Sequence, residues 1–191
     1  KELTAGYRIR CAGYSHIDLA WLWRWAETVQ VCKETFASAL NFTKEFPDFR
    51  FSMSQSHAYR WIEERYPDLF EAIRDAVKKG TWEIVGGTAV ELDCNLPDAE
   101  SHVRQLLQGQ RYFRSRFGKT AKIGWCPDSF GYNANLPQIL KKAGLDYFVT
   151  SKISWNDTNK FPHNLFWWEA PDGSRVLTFL PLGGYANELE G

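Results

Sequence analysis

The amino-acid sequence predicts an α/β fold of barrel type, in which parallel strands alternate with helices. Short apolar, β-branched runs alternate with longer stretches whose apolar residues recur at helical spacing. Four such strand-then-helix units follow one another at intervals of about 25–40 residues, a pattern typical of βα units around a parallel sheet. The chain has 191 residues and 44% hydrophobic content, which is enough for one sizeable core.

Each element is bounded by a turn signal or by a change of periodicity. Pro47 and Gly80 end helices, Pro97-Asp98 begins one, and Pro171-Asp172-Gly173 is a strong hairpin signal. The predicted strands cover residues 7–12, 49–53, 81–85, 121–125, 147–150, 165–169 and 175–180. The predicted helices cover residues 25–46, 57–79, 97–117 and 136–143.

Composition excludes several classes of partner. Lys plus Arg and Asp plus Glu both number 23, so the net charge is zero, and no basic stripe could follow a phosphate backbone. No apolar run approaches the roughly 20 residues that span a bilayer, and the first residues lack the apolar core of a signal peptide. The four cysteines are widely spaced and form no CxxC pair. We therefore expect a cytoplasmic protein with no nucleic-acid or membrane partner.

Polar residues follow several predicted strands directly. In parallel α/β barrels, the carboxyl ends of the strands are where catalytic groups collect. We therefore expect these polar segments to converge on one face of the fold: Ser15–Asp18, Ser54–His57, Glu91–Asp93 and Pro127–Ser129.

Two segments have the chemistry of a metal or catalytic site. His16 and Asp18 lie two apart on extended chain, so both side chains project to one face, and an imidazole with a carboxylate suits Zn²⁺ or a similar divalent ion. The alternative is that His16 caps the following helix and Asp18 interacts with the helix dipole. Asp128 follows a buried strand beside Pro127 and is rigidly aimed; the alternative is an ordinary strand-end cap.

Several motifs together resemble glycoside hydrolase family 38, the class II α-mannosidases. Ser15–Trp23 (SHIDLAWLW) is similar to the opening metal motif of that family, Gly86–Leu107 to the middle of its catalytic domain, and Trp125–Leu140 to its nucleophile segment. The likeness continues through Phe161–His163, Phe166–Trp168 and Asp172–Gly173. It covers nearly the whole chain and is closer to the cytosolic and vacuolar-type branch.

The resemblance implies a fold, a cofactor and a reaction. The fold would be the seven-stranded βα barrel of the family's N-terminal domain, here as a partial barrel. His16, Asp18 and Asp128 would ligate Zn²⁺ or another divalent cation. Asp128 would also be the nucleophile in retaining hydrolysis of terminal α-D-mannosyl residues from glycans or oligosaccharides. A mannose-containing oligosaccharide is thus the expected substrate.

Two departures from the family pattern qualify this expectation. The resemblance implies that the family's fourth metal ligand and its general acid would lie further along the chain than Gly191. Residues 1–191 would then be the N-terminal part of a truncated catalytic domain, inactive alone and partnered by the rest of the mannosidase chain. Whether the chain also associates with further copies of itself is left open by the sequence. Tyr14 stands where a histidine commonly precedes the metal motif.

Other residues have two interpretations each. Trp21, Trp125 and Phe130 are candidates to line a sugar site, with core packing as the alternative for the tryptophans. Asp93 is a further candidate for the lining, and either it or Glu91 could instead pair with Arg104.

Three histidines are expected to have structural roles: His57 as a cap or packed residue, His102 on a helix surface and His163 before a strand. Metal ligation is the alternative for His57 and His163.

Two rival functions stay open. One is a metal-dependent polysaccharide deacetylase, in which a metal-activated water acts without a covalent intermediate. The other is a non-catalytic sugar-binding remnant.

Overall fold

The fold is known from a computed structural model, which describes residues 11–181. Within these residues the strands are β1 Gly13–Tyr14, β2 Phe51–Met53, β3 Trp82–Ile84, β4 Ile123–Cys126, β5 Tyr147–Thr150, β6 Leu165–Glu169 and β7 Arg175–Phe179. The helices are α1 Trp25–Glu45, α2 Ser56–Arg65, α3 Pro67–Lys79, α4 Ala99–Phe117 and α5 Leu136–Lys142. The predicted strand at residues 7–12 lies almost wholly outside the described part of the chain. None of these helices is long and apolar enough to cross a bilayer.

The strands form two sheets that meet near the end of β3 and the start of β4. The first sheet has the order β1-β2-β3, all parallel, and the second has the order β4-β5-β7-β6. Strands β4, β5 and β7 are parallel, whereas β6 is antiparallel to β7. The Gly86 N–H donates a 2.7 Å hydrogen bond to the Ile123 carbonyl and joins the sheets. The predicted α/β class is therefore confirmed, with strands β2 to β7 close to their predicted positions.

The prediction of one helix over residues 57–79 is wrong. The chain breaks at Tyr66, which has φ −137° and ψ 63°, and Pro67 begins a second helix. Proline lacks the N–H that would continue the first helix, and its ring disfavours helical geometry in the preceding residue. Apolar residues keep helical spacing on both sides of the break, which is why periodicity alone did not show it.

An aromatic cluster forms the core beneath the first sheet. Phe36, Tyr59, Trp82 and Phe113 are all nearly or fully buried and come from α1, α2, β3 and α4. The indole N–H of Trp82 donates to the Tyr59 hydroxyl at 2.8 Å, and that hydroxyl donates to the Met53 carbonyl at 3.0 Å. These bonds satisfy the polar atoms that the aromatic side chains carry into the core. They also join α2 to both β2 and β3.

Helix α4 packs directly on the loop that follows β3. A Cβ atom at Gly109 would lie 2.4 Å from the Gly87 carbonyl oxygen, so only glycine permits this approach. The helix begins at Asp98, whose carboxylate accepts the Ser101 N–H at 2.8 Å. His102 is fully buried, with Nε2 3.0 Å from the Asp93 carbonyl, so the prediction of a surface position was wrong. The contact between the buried imidazole and the Asp93 carbonyl holds the loop between β3 and α4 against the helix.

Candidate active site

Five polar side chains meet where five strands end. They follow β1 to β5 in order, one from each strand end: His16, Gln55, Glu91, Asp128 and Lys152. Parallel strands bring their carboxyl ends to one edge of a sheet, which explains how residues so distant in sequence become neighbours.

His16, Asp18 and Asp128 bring three potential ligand atoms to one point. His16 Nε2 lies 3.1 Å from Asp18 Oδ1 and 3.5 Å from Asp128 Oδ2. One ligand atom from each residue lies within 4.8 Å of the others. Tetrahedral Zn²⁺ with bonds of about 2.1 Å separates its ligand atoms by about 3.4 Å. One imidazole and two carboxylates at these distances fit a divalent cation.

Glu91 contacts two of these three residues, His16 and Asp128. Its Oε2 lies 3.1 Å from His16 Nδ1, and its Oε1 accepts the Asp128 backbone N–H at 2.8 Å. Burial lowers the pKa of His16, but the hydrogen bond with Glu91 and the charges of Glu91, Asp18 and Asp128 outweigh it and raise the pKa to about 9. The site thus favours a positive charge at the imidazole position.

Lys152 supplies a cation on the other side of Asp128. Its Nζ lies 2.8 Å from Asp128 Oδ1, and only 10% of its side chain is exposed. The ammonium group also lies 3.6 Å from the ring centroid of Trp155 and 5.2 Å from that of Phe130. These contacts orient the carboxylate of Asp128 between a lysine and a histidine.

The cluster lies in a cavity of about 780 Å³ with an aromatic rim. Trp21, Phe130 and Trp155 line it and are 62%, 66% and 68% exposed, respectively. Carboxylates and imidazole therefore lie beside exposed flat rings. Such rings present an apolar face to a ligand while the polar groups fix its orientation.

The candidate lining residues differ in where the structure places them. Trp21, Asp93 and Phe130 line the cavity. The Asp93 carboxylate also accepts the backbone N–H groups of Asn95 and Leu96, which shapes the loop. Trp125 is not part of this lining and packs on Tyr14, with ring centroids 4.8 Å apart.

The remaining candidates lie outside the cluster. Arg104 pairs with Glu100 at 2.8 Å rather than with Glu91 or Asp93. His57 packs edge-on against Trp61, and His163 packs against Phe161.

Three residues of the site were not assigned by sequence reasoning. Glu91 and Gln55 lie in polar segments after strands, so their region was noted, but no local pattern indicates which groups they contact. Lys152 follows β5 without any motif. Its ion pair with Asp128 depends on strands β4 and β5 being neighbours.

Comparison with known proteins places this geometry in a family. The family model described as "Glycosyl hydrolases family 38 N-terminal domain" matches residues 7–188. The chain is 46% identical over 174 residues to "Alpha-mannosidase G" of Dictyostelium discoideum, covering 91% of this chain and 16% of that protein. It is 46% identical over 177 residues to "Alpha-mannosidase 2C1" of Homo sapiens, covering 93% of this chain and 17% of that protein.

A solved structure shares the fold. The crystal structure of an α-mannosidase from Enterococcus faecalis V583 superposes with a TM-score of 0.78 at 23% identity, covering 92% of this chain and 20% of that one. The chain thus spans about a sixth of the length of the curated relatives named above. Because the family model matches almost the entire chain, the chain belongs to glycosyl hydrolase family 38, within its N-terminal domain.

Proposed function

We propose that this chain forms the metal-binding and nucleophile half of the active site of a retaining α-mannosidase. The observation that carries the proposal is the convergence of His16, Asp18 and Asp128 at the strand ends, beneath an aromatic rim. The names of the relatives support the substrate class, because both are α-mannosidases. The whole enzyme would hydrolyse terminal α-D-mannosyl residues from glycans or oligosaccharides.

Asp128 is the nucleophile in this proposal. A carboxylate oxygen forms a bond to the anomeric carbon while the bond from that carbon to the leaving oxygen breaks, and the leaving oxygen takes a proton. Water then attacks the same carbon, releases mannose and restores the Asp128 carboxylate. Two inversions give net retention of configuration. The Nζ of Lys152, 2.8 Å from Asp128 Oδ1, would hold the carboxylate in place for this attack.

His16 and the two aspartates would bind the cation. Zn²⁺ bound there would supply a Lewis acid for the hydroxyl groups of the mannose ring. The donor set supports this role, since an imidazole and two carboxylates suit zinc or another divalent ion. Trp21 and Phe130 on the rim would contact the apolar face of the sugar.

The proton donor of this reaction belongs to another part of the enzyme. A retaining glycosidase needs a second carboxyl about 5–5.5 Å from the nucleophile. Within residues 11–181, Asp18 is a proposed ligand, and Glu91 is engaged by His16 and the Asp128 N–H. The Asp93 carboxylate accepts two backbone N–H groups of its own loop. We therefore propose that the chain is part of a larger catalytic domain. We also propose a cytoplasmic location, which the free Cys11, Cys32, Cys94 and Cys126 support.

Covalent trapping tests the assignment of Asp128. The full-length enzyme is incubated with a fluorinated mannosyl fluoride, digested and mapped by mass spectrometry. We expect one mannosyl label on the peptide that contains Asp128. An active enzyme that carries no label there, or carries it elsewhere, contradicts the assignment.

An assay with and without chelator separates the rival functions. We expect the full-length enzyme to hydrolyse an aryl α-mannoside, to lose activity with a chelator and to regain it with zinc. Release of acetate from an acetylated polysaccharide without mannosidase activity would instead indicate a deacetylase. Sugar binding without any turnover would indicate a binding remnant.

A further inference from the structure

We infer that Glu91 and Gln55 are positioning residues that together set the geometry of the three proposed metal ligands. The inference rests on the proposed metal site and adds two residues that do not touch the ion. Glu91 acts through His16 and Asp128, and Gln55 acts through Glu91 and the backbone between His16 and Asp18.

Glu91 joins ligands from two different strands. One oxygen faces His16 Nδ1 at 3.1 Å, and the other accepts the Asp128 N–H at 2.8 Å. The two atoms that it contacts belong to residues following β1 and β4, which lie in different sheets. The side chain of Glu91 is only 11% exposed, so water competes little for these contacts. A single carboxylate thus sets how close His16 and Asp128 lie.

The contact with His16 leaves Nε2 as the ring nitrogen that faces the proposed metal position. Carboxylates lie at both ring nitrogens, Glu91 at Nδ1 and the two aspartates at Nε2, and an ionised carboxylate does not donate a hydrogen bond. A metal bound by His16 and the two aspartates would take the place of a proton on Nε2, and the remaining proton would lie on Nδ1, facing Glu91. A carboxylate behind a ligating histidine fixes its tautomer and ring orientation in this manner.

Gln55 connects the loop that carries Glu91 to the segment that carries His16 and Asp18. Its side-chain Nε2 donates to the Ile17 carbonyl at 2.8 Å, and its Oε1 accepts the Glu91 N–H at 3.0 Å. Ile17 lies between His16 and Asp18 in the chain. Gln55 is 2% exposed and has φ 63°, a left-handed conformation found at no other non-glycine residue of the described part. This rare backbone conformation directs the Gln55 side-chain amide towards both the Ile17 carbonyl and the Glu91 N–H.

The isosteric variant Glu91→Gln tests the inference. Its amide cannot accept from both the Asp128 N–H and a His16 Nδ1–H, so one contact is lost or the His16 proton moves to Nε2. Glu83→Gln is the matched control, because Glu83 is an exposed carboxylate on β3. Zinc dissociation constants of the full-length enzyme are measured by competition with a chromophoric chelator. Thermal unfolding is measured on the metal-free proteins, and histidine ring resonances on the zinc-loaded ones.

We expect Glu91→Gln to weaken zinc binding by roughly 10–100-fold, and Glu83→Gln to leave it unchanged. The metal-free variant should remain folded, with a small fall in its unfolding midpoint from the lost His16 contact, and the zinc-bound Nδ1–H resonance of His16 should shift or disappear. Gln55→Gly, which accepts the positive φ, should also weaken zinc binding and carries the test if Glu91→Gln does not fold.

Three results would overturn the inference. Wild-type zinc affinity in Glu91→Gln would remove Glu91 from the metal site. A loss of metal-free stability without the change in resonance would mean a merely structural role. A wild-type full-length enzyme that binds no zinc would overturn the proposed metal site itself, and the inference with it.

Discussion

His16 is in contact with negative charge on both sides of its ring. Nδ1 faces Glu91, and Nε2 faces Asp18 and Asp128. Without a metal, these carboxylates stabilise a proton on the imidazole, and its pKa rises to about 9 although burial alone would lower it. In the proposed metal site, a proton and a divalent cation would therefore compete for Nε2 of His16.

This competition predicts how the stability of the metal-free chain depends on pH. The folded pKa of about 9 exceeds the ordinary value of 6.5, so protonated His16 stabilises the fold below pH 6.5, and this contribution is lost as pH rises through about 9. We expect a loss of about 1–2 kcal/mol over that interval, allowing for solvent screening, that is absent in His16→Gln. Urea unfolding at several pH values with a chelator present measures it. Parallel curves for the two proteins would contradict the prediction.

Lys152 gives a second prediction at the residue scale. Lys152→Met removes the cation 2.8 Å from Asp128, and we expect kcat/KM of the full-length enzyme on an aryl α-mannoside to fall by roughly 100-fold. Lys152→Arg keeps a cation and should recover part of the loss. Lys141→Met is the control, since Lys141 pairs with Asp146 and neither residue lines the cavity. Equal kcat/KM for wild type and Lys152→Met would remove Lys152 from the reaction.

At the scale of elements, helix α4 positions the loop that carries Glu91. Gln105 of α4 accepts the N–H groups of Ala89 and Val90 through its backbone carbonyl and side chain, at 3.2 and 3.1 Å. Gly109, one turn further along, contacts the backbone of Gly87 and Thr88. The register of α4 on this loop therefore sets where Glu91 lies.

Gly109→Ala tests this contact. Alanine stabilises an exposed helix by about 1 kcal/mol relative to glycine. Here its Cβ would meet Gly87 O at 2.4 Å and Thr88 Cα at 2.7 Å, so we expect a net loss of about 1–3 kcal/mol in the free energy of unfolding. The neighbouring exposed Gln108→Ala should change it by less than about 0.5 kcal/mol. A stabilising Gly109→Ala, measured by urea unfolding, would show that the helix and loop can separate at no cost.

At the scale of the whole molecule, the proposed site has one nucleophile, and the other carboxylates that line the cavity within residues 11–181 are all engaged by neighbouring groups. This arrangement predicts how the isolated chain depends on the leaving group. We expect its residual turnover, if zinc is bound, to be confined to mannosides whose leaving group needs no protonation, such as a dinitrophenyl mannoside or mannosyl fluoride. Steady-state assays against methyl α-mannoside provide the comparison. Comparable rates on both substrate types would mean that a proton donor lies within the chain.

Much of the fold could be predicted from local sequence. The order of strands and helices follows from hydrophobic periodicity, and the hairpin of β6 and β7 from its Asp172-Gly173 turn. The break at Pro67 was missed because periodicity continues across it. The predicted ligands His16 and Asp18 could be paired because they are two residues apart, and the structure brings Asp128 to the same point.

What the sequence by itself determined is the element order, the family motifs and the identities of the proposed ligands. Only the tertiary structure decided which side chains contact and position those ligands. Gln55 and Glu91 are 36 residues apart, and Glu91 and Asp128 are 37 apart. Contacts over such separations depend on strand order and register, which no local pattern encodes. The roles of Gln55, Glu91 and Lys152 therefore appear only when the strands are assembled.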